Sequence, residues 1–339
     1  MTAAIISFTG DGRGISARLA AGIPGCTRFC FHKHSDENAC SFTELSALTA
    51  DIFGRYDALV FISSVGIAVR AVAPHIRSKL TDPAVVAVDD CGKFAVSVLS
   101  GHLGGANGLA KKIAEIIGAV PVITTSTDAH RLFSPDVFAK KNGLVICDMN
   151  AAKAVAAAVL NGEKVCVKCA YPHSEIPVEL TECDNGNIGI CISGNADDKP
   201  FDTTLNLLPK DLVTGIGCKK GTSCDAVTSH IMSVFSENRL DIRRLSAVAT
   251  IDIKADERGL REFCEQLGVP LKTYTAGELM QAEGEFSHSD FVVKTTGADN
   301  VCERAAVCAG GMTKVPKTAR KGVTAAVAEL PVYINFAKE

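Results

Sequence analysis

FAVSVLSGHLGGANGLAKKIAEIIG, residues 94–118, reads as three pieces in order. Phe94 to Leu99 is an apolar run of strand length, and Ser100-Gly101-His102-Leu103-Gly104-Gly105 is a glycine-rich turn. Ala106 to Ile117 then repeats its apolar residues at helical spacing: Leu109, Ile113, Ile116 and Ile117 share a stripe while Lys111, Lys112 and Glu115 face away. Gly118 follows as a C-terminal stop. A strand that runs through a glycine turn into an amphipathic helix is the unit from which α/β layers are built. Asp89-Asp90-Cys91-Gly92, just upstream, ends an earlier strand and turns the chain into this one.

The same alternation continues in both directions. Ala3 to Phe8, Ala58 to Ile62, Ala84 to Val88, Val122 to Thr124, Leu212 to Ile216 and Ala247 to Ile251 read as buried strands. The fold expected is therefore multi-domain α/β. An N-terminal α/β domain with ligand loops at its strand ends precedes a small middle domain and a C-terminal α/β domain. With 339 residues the chain has room for two or three domains at roughly 100 to 200 residues each. After Asp128 the strand pattern weakens, and Pro172, Pro177, Gly186 and the stretch from Asn195 to Pro200 mark a looser, more polar region that ends near Pro209. The boundaries expected are 1–130, 131–209 and 210–339. In the middle region, Ala151 to Leu160 is an alanine-rich helix with Asn150 available as its cap.

Composition excludes several classes. Apolar residues make up 47% and charged ones 22%, which is ordinary globular usage and a poor fit to a disordered chain. No stretch approaches the roughly 18 to 20 apolar residues of a spanning helix, and Met1 to Gly10 lacks the pattern of a signal peptide, so a cytoplasmic location is expected. A formal charge of −3 argues against nucleic acid as a partner. One basic tract stands out: Lys314, Lys317, Arg320 and Lys321 read as a solvated loop or as a site for an anionic small molecule. The fourteen cysteines are spread along a chain long enough to bury a core, and most are expected as free thiols. Cys166, Cys169, Cys183 and Cys191 offer four thiolates, but their spacing matches no common zinc motif, and a strand from Lys164 to Cys169 would point Cys166 and Cys169 to opposite faces.

The candidate chemistry gathers at strand ends. In the loop Ser100, Gly101, His102, Gly104, Gly105 and Asn107, glycines allow close approach of a ligand, helix amides can hold a carboxylate, and His102 can move a proton near neutral pH. The plain alternative is a turn whose glycines only satisfy backbone geometry. Ser64 and Gly66, before a helix carrying Arg70, repeat the design, and Thr125, Thr127 and Asp128 form a third polar strand end whose alternative is helix capping. In a parallel sheet these turns would share one carboxyl edge and one crevice. Asp89 is expected to orient His102 or a water, with Asp90 as a turn former. Thr9 to Gly14 has glycines spaced unlike a dinucleotide fingerprint. In the third region, Gly217, Cys218, Lys219, Lys220, Gly221 and Thr222 make a basic strand-to-helix loop suited to an anion, distinct from a Walker loop because no lysine follows Gly221. Thr222 with Asp225 looks like the start of the following helix, and Asp299 or Asn300 can cap the helix after it. No G-x-S-x-G elbow occurs, which disfavours a covalent serine esterase.

At these loops the sequence resembles the CbiG family, the cobalt-precorrin-5A hydrolases of anaerobic cobalamin biosynthesis. The resemblance rests on Gly66 to Pro74, Thr81 to Val86, Leu99 to Asn107, Pro121 to Asp128, Gly215 to Thr222, Asp299 to Ala306 and Val315 to Ala319. It is close over 50–130 and 210–330, loose over the first 50 residues and mostly positional in the middle. The resemblance implies opening of a δ-lactone on a ring-contracted cobalt tetrapyrrole, cobalt-precorrin-5A, and release of acetaldehyde to give cobalt-precorrin-5B. Cobalt would arrive within the substrate, with no cofactor of the protein's own. Glu303 and Lys317 join the expected substrate contacts through these motifs. The third region also resembles the CobE proteins, which keeps open a non-catalytic carrier of a corrinoid intermediate. Homo-oligomerisation and transient contact with pathway enzymes stay open as well.

Overall fold

The structure, a computed structural model, describes residues 1–78, 81–101, 104–124 and 132–337. The chain forms two compact units, Met1–Val137 and Phe138–Glu339.

The first unit is a seven-stranded sheet in the order β3-β2-β1-β4-β5-β6-β7, made of β1 (Ala3–Ser7), β2 (Cys26–Phe31), β3 (Cys40–Phe42), β4 (Ala58–Ile62), β5 (Ala84–Val88), β6 (Phe94–Leu99) and β7 (Val120–Val122). Its helices are α1 (Gly10–Gly22), α2 (Leu45–Ile52), α3 (Val65–Val72) and α4 (Ala106–Ile117). The central strands β1, β4 and β5 are continuous apolar runs because both faces are covered. On one face Ile15 and Leu19 of α1 and Ile113 of α4 pack against Ile5, Val60 and Val86; on the other, Ile52 of α2 and Val72 of α3 pack against Ile6, Phe61 and Val85. Each fully buried side chain of this kind contributes roughly 1.5 to 3 kcal/mol.

The strand directions matter most for the site. Strands β1 to β5 run parallel, β6 runs antiparallel to β5, and β7 is parallel to β6. The turn Asp89 to Lys93 is thus a hairpin, with Gly92 at φ +67°, where glycine alone is unstrained.

In the second unit α5 (Pro135–Lys141) straddles the division and leads into β8 (Leu144–Ile146). Then come α6 (Met149–Leu160), β9 (Val165–Cys169), β10 (Leu180–Glu182), β11 (Gly186–Ile192) and β12 (Phe201–Pro209). The region expected to be loose therefore forms a five-stranded sheet, β10-β9-β11-β12-β8. Its strands were masked in the sequence by intervening loops and polar positions such as Asp202 and Asn206. Helix α6 starts before Ala151: the cap is Asp148, whose carboxylate accepts from the amides of Asn150 and Ala151.

A second five-stranded sheet, β15-β14-β13-β17-β16, follows within the same unit. It comprises β13 (Leu212–Cys218), β14 (Leu245–Ile251), β15 (Leu271–Tyr274), β16 (Met312–Arg320) and β17 (Val323–Glu329), with α7 (Cys224–Glu237), α8 (Arg258–Leu267), α9 (Ala276–Gln281), α10 (Asp290–Thr296) and α11 (Cys302–Cys308). Helices α7 and α8 cover the face carrying Leu212, Ile216 and Val248. Helix α11 lies directly on β13 over the other face, where any side chain at Gly215 would collide with the Cys302 carbonyl. The buried Arg244 joins both sheets: it donates to both carboxylate oxygens of Asp211 (2.9 and 2.7 Å), to Glu329 (2.7 Å) and to the Gly194 carbonyl (3.3 Å). All fourteen cysteines are free thiols, six of them buried.

Candidate functional site

The expected single crevice of the first unit is divided by the sheet. Val88 pairs with Ala95 and Val85 with Leu99, so the loop that starts at Ser100 leaves from the edge where β5 begins, and Asp89 stands at the edge where β5 ends. At about 3.3 Å per residue the two are separated by the length of β5, roughly 13 to 17 Å. Asp89 is therefore corrected from an orienting group for that loop to a turn closer: its carboxylate accepts from the Cys91 amide (3.1 Å) and the Phe94 amide (2.6 Å). Asp90 accepts from the Thr9 hydroxyl (2.6 Å), which itself caps α1 by accepting from the Gly12 amide (2.9 Å). Ser64, Gly66 and Arg70 lie on the carboxyl edge of β4, exposed, on the same edge as Asp89 and away from Ser100.

Of the 100–107 loop, His102 lies outside the described residues, as do Thr125, Thr127 and Asp128. What is described folds onto itself. Ser100 adopts φ +55° and Gly105 φ +87°. The Ala106 amide donates to the Ser100 carbonyl (3.1 Å) and the Asn107 amide to the Gly101 carbonyl (3.0 Å). A Cβ on Gly101 would stand 2.7 Å from Asn107 Oδ1, and one on Gly104 would collide with Ser100. The first two amides of α4, expected to hold a ligand carboxylate, thus bond to the loop, and Gly101 and Gly104 are needed for its closure. Asn107, expected to contact substrate, is buried at the first turn of α4.

The second unit builds a more open edge. Strand β13 ends at Cys218, where Lys219 and Lys220 emerge exposed, and the Lys219 amide donates to the Gly322 carbonyl (3.2 Å) in the β16–β17 turn. Because β16 and β17 are antiparallel, with Arg320 opposite Val323, Arg320 and Lys321 arrive at this same edge while Lys314 is carried to the far end, paired with Glu329 (2.9 Å). The basic tract of the sequence is therefore split. Lys219, Lys220, Arg320 and Lys321 form the cationic edge, and among the described residues none of the four is in an ion pair; Arg320 donates to the Ser233 hydroxyl (3.0 Å).

This edge already holds one carboxylate of its own. Glu257 accepts from the Gly221 amide (2.6 Å) and pairs with Lys254 (2.9 Å). Lys254 and the Gly221 amide hold its carboxyl below the ordinary range. Gly221 is thereby corrected from a ligand amide to a loop-closing one. Thr222 donates to the Lys219 carbonyl (2.7 Å), and the cap of α7 is its neighbour Ser223, which accepts from the Ala226 amide. Gly217 is fixed by packing, since a Cβ there would stand 2.6 Å from the Thr324 hydroxyl. Cys218 is half-buried, and burial pushes its thiol up.

Glu303 is the largest departure. It is 5% exposed and turned inward. One oxygen accepts from the Ser287 amide (2.8 Å), the Ser287 hydroxyl (2.6 Å) and Asn300 Nδ2; the other accepts from the Lys317 amide (2.8 Å). Burial opposes its charge, yet the bonds from Ser287 and Lys317 outweigh that cost and hold the carboxyl below the ordinary range. Lys317 contributes its backbone here. Asn300 donates to Glu303 and accepts from its amide, while Asp299 holds Arg304 in a two-pronged pair (2.6 and 3.0 Å). The motif Asp299 to Ala306 is thus a clasp that fixes α11 to the 284–289 segment and to β16.

The four middle-region cysteines divide as strand alternation requires. Cys166 is buried and adjoins Cys183, whereas Cys169 donates to the Tyr171 carbonyl (3.5 Å). Among the described residues no three or more His, Cys, Asp or Glu side chains are grouped to hold a metal ion. No described helix is long and apolar enough to cross a membrane.

Family models match in order along the chain: Cobalamin synthesis G N-terminal over 47–128, Cobalamin biosynthesis central region over 133–209 and Cobalamin synthesis G C-terminus over 212–328. The cobalt-precorrin-5A hydrolase of Salmonella typhimurium is 34% identical over 320 residues, 89% of this chain and 90% of that protein. The chain belongs to the CbiG family. The Priestia megaterium cobalt-precorrin-5A hydrolase is 32% identical over 84% of this chain and 81% of its own length. A solved structure of CobE, a protein from the cobalamin biosynthetic pathway, aligns with 36% of this chain and 91% of its own at 28% identity and a TM-score of 0.34. In this CbiG chain the stretches that carry the resemblance thus include structural clasps as well as exposed strand ends. Sequence reasoning missed Glu257, Asp211 and Arg244; their signal lay in charged residues beside buried strands, visible only once the pairing of β13 with β14 and β17 is known.

Proposed function

We propose that this chain hydrolyses cobalt-precorrin-5A, opening its δ-lactone and releasing acetaldehyde to give cobalt-precorrin-5B. The observation that carries the reading is the match, over 89% of the chain, to a protein named for acting on that substrate. The substrate is a polycarboxylate, and the cationic edge of Lys219, Lys220, Arg320 and Lys321 offers charges of the right sign for its rim. Cobalt comes in with the substrate, and the protein brings no metal or nucleotide cofactor of its own. The reaction belongs to the cytoplasm.

The chemistry needs one group that moves protons. Water, deprotonated as it attacks, adds to the lactone carbonyl; the acyl-oxygen bond breaks and leaves a carboxylate and a free hydroxyl. Removal of the hydroxyl proton then forms the aldehyde as the neighbouring carbon-carbon bond breaks, its electron pair passing into the macrocycle, which takes up a proton. His102 is the group we assign to these transfers, because the imidazole side chain is the one whose ordinary charge change falls between about pH 5 and 8. The testing experiment is an anaerobic incubation with cobalt-precorrin-5A in which acetaldehyde is trapped by alcohol dehydrogenase and NADH. Stoichiometric acetaldehyde is expected; binding of the corrinoid without acetaldehyde would make the chain a carrier. His102→Ala should lower turnover about 10² to 10⁴-fold, and near-wild-type turnover of His102→Gln, which cannot cycle a proton, would remove His102 from the chemistry.

A further inference from the structure

Strand direction gives β5 and β6 a common edge. Val85 pairs with Leu99, so the chain enters β5 through Asp82 and Pro83 at the edge where β6 delivers Ser100 and Gly101, on neighbouring strands about 4.8 Å apart. Helix α3 leaves the carboxyl end of β4 and, because β4 and β5 are parallel, must return the chain to this edge before β5 can start. The segment from Ala73 to Pro83 therefore ends beside the loop given the chemistry, on the edge opposite to Asp89. Two of the stretches that carry the resemblance, Thr81 to Val86 and Leu99 to Asn107, meet here.

This segment is fixed in place without the use of its arginine side chain. Asp82, 7% exposed, accepts from the amides of Arg77 and Ser78, at 2.9 Å each. The Ser78 carbonyl accepts from the amides of Thr81 (3.1 Å) and Asp82 (2.9 Å), and the His75 ring packs 5.6 Å from that of Phe53. A buried carboxylate destabilises a fold unless it is bonded, and the bonds of this one hold the backbone of Arg77. The Arg77 guanidinium is left exposed and, among the described residues, in no ion pair. Asp82 is the one acidic residue from Ala73 to Pro83 and is occupied with amides, so the cation is free for a ligand. Ser100 is an independent sign that this edge handles one. It adopts φ +55° without being glycine, and its hydroxyl oxygen is shut away from solvent with no partner among the described residues. Both features cost stability, and backbone strain and unmade hydrogen bonds of this kind gather where ligands are handled.

We propose that Arg77 holds a rim carboxylate of the tetrapyrrole while the lactone is presented at the strand end Ser100-Gly101, with Asp82 as the residue that positions the Arg77 backbone. The guanidinium fork matches a carboxylate with two hydrogen bonds, and a macrocycle with carboxylates around its rim can engage both places at once. The proposal rests on the reading of the substrate as a cobalt tetrapyrrole. The test compares wild type, Arg77→Ala and Arg77→Lys in anaerobic turnover of cobalt-precorrin-5A and in absorbance titration with cobyrinic acid, a cobalt corrinoid polycarboxylate. Arg258→Ala, at a 90% exposed side chain of the second unit, is the control for loss of one positive charge. Arg77→Ala should raise KM and the cobyrinic acid Kd about five- to twentyfold with kcat within about twofold, and its binding should depend less steeply on salt than that of wild type. Arg77→Lys, which keeps the charge and loses the fork, should fall between the two. The melting temperature should stay at the wild-type value in both variants, because the fold uses only the Arg77 amide. Active wild type with KM and Kd unchanged in Arg77→Ala, or changed no more than in Arg258→Ala, would overturn the assignment alone. A raised KM accompanied by a lowered melting temperature would overturn it in favour of a structural role. Wild type that binds cobyrinic acid but releases no acetaldehyde would overturn the hydrolase reading, and the Kd values would still decide for or against Arg77. Wild type that neither turns over nor binds would overturn Arg77 together with the function.

Discussion

Glu303→Gln separates a buried clasp from a substrate contact. The carboxylate takes four donors on two oxygens, from the Ser287 amide, the Ser287 hydroxyl, Asn300 Nδ2 and the Lys317 amide. Glutamine keeps the shape but sets an NH₂ where one oxygen stood. The least costly orientation points it at the Lys317 amide, so that one bond to a charged acceptor becomes two facing donors, a loss of about 1.5 to 3 kcal/mol. The remaining bonds fall from charged to neutral strength, a further 1 to 2 kcal/mol or so, which puts the total at roughly 3 to 5 kcal/mol, the scale of a broken buried network. The chain has no tryptophan, so urea unfolding is followed by circular dichroism; at about 2 to 3 kcal/mol per molar the midpoint of the second unit should fall by about 1 to 2.5 M. The pH dependence has a definite sign. Glu303 has a lowered folded pKa, so its contribution is fully present above the unfolded glutamate pKa of about 4.3 and is lost as pH falls through the folded value. The gap between wild type and variant should therefore narrow in acid. An unchanged midpoint at pH 7 with a raised KM would refute the clasp and return Glu303 to the substrate.

Three further outcomes follow from the same geometry. Asp89→Ala removes the acceptor of two turn amides and should cost about 1 to 3 kcal/mol in thermal unfolding, with turnover per folded molecule within a few-fold of wild type; a drop of about 10³ would restore Asp89 to the chemistry. Arg244→Met leaves Asp211 buried without its partner and should destabilise the second unit by about 3 to 5 kcal/mol, whereas a midpoint within experimental scatter would mean that water or another cation replaces the guanidinium. Replacing Lys219, Lys220 and Lys321 together by alanine should raise KM about tenfold or more at low salt with little change in kcat, and the difference should shrink as salt screens the edge; a salt-independent KM in wild type would count against that edge as a carboxylate site.

The sequence was most informative where one physical signal dominated. Ala58–Ile62, Ala84–Val88 and Phe94–Leu99 are strands with the bounds their apolar runs suggested, and Ala106–Ile117 is the helix its stripe described. Apolarity reports burial but not direction. The run Phe94 to Leu99 looks the same parallel or antiparallel, and only the five-residue connection from Asp89 to Lys93, too short for a crossover, marked the hairpin that separates Asp89 from the 100–107 loop. The candidate site was legible in the same partial way. Glycine-rich strand ends were found, yet a glycine required by loop closure, as at Gly101, and one with room for a side chain, as at Gly66, have the same letter. Likewise the charge of Glu303 was visible but not the Ser287, Asn300 and Lys317 donors that turn it inward, because those come from three separate segments.

The central claim, that this chain cleaves a lactone rather than carries a corrinoid, is tested most directly by a single anaerobic turnover of cobalt-precorrin-5A in heavy-oxygen water, read by the mass of the corrinoid. Attack of water on the lactone carbonyl predicts that the corrinoid loses the mass of acetaldehyde, gains that of water, and carries one solvent oxygen in its new carboxylate. A corrinoid recovered at its original mass, with no solvent oxygen and no acetaldehyde, would contradict it.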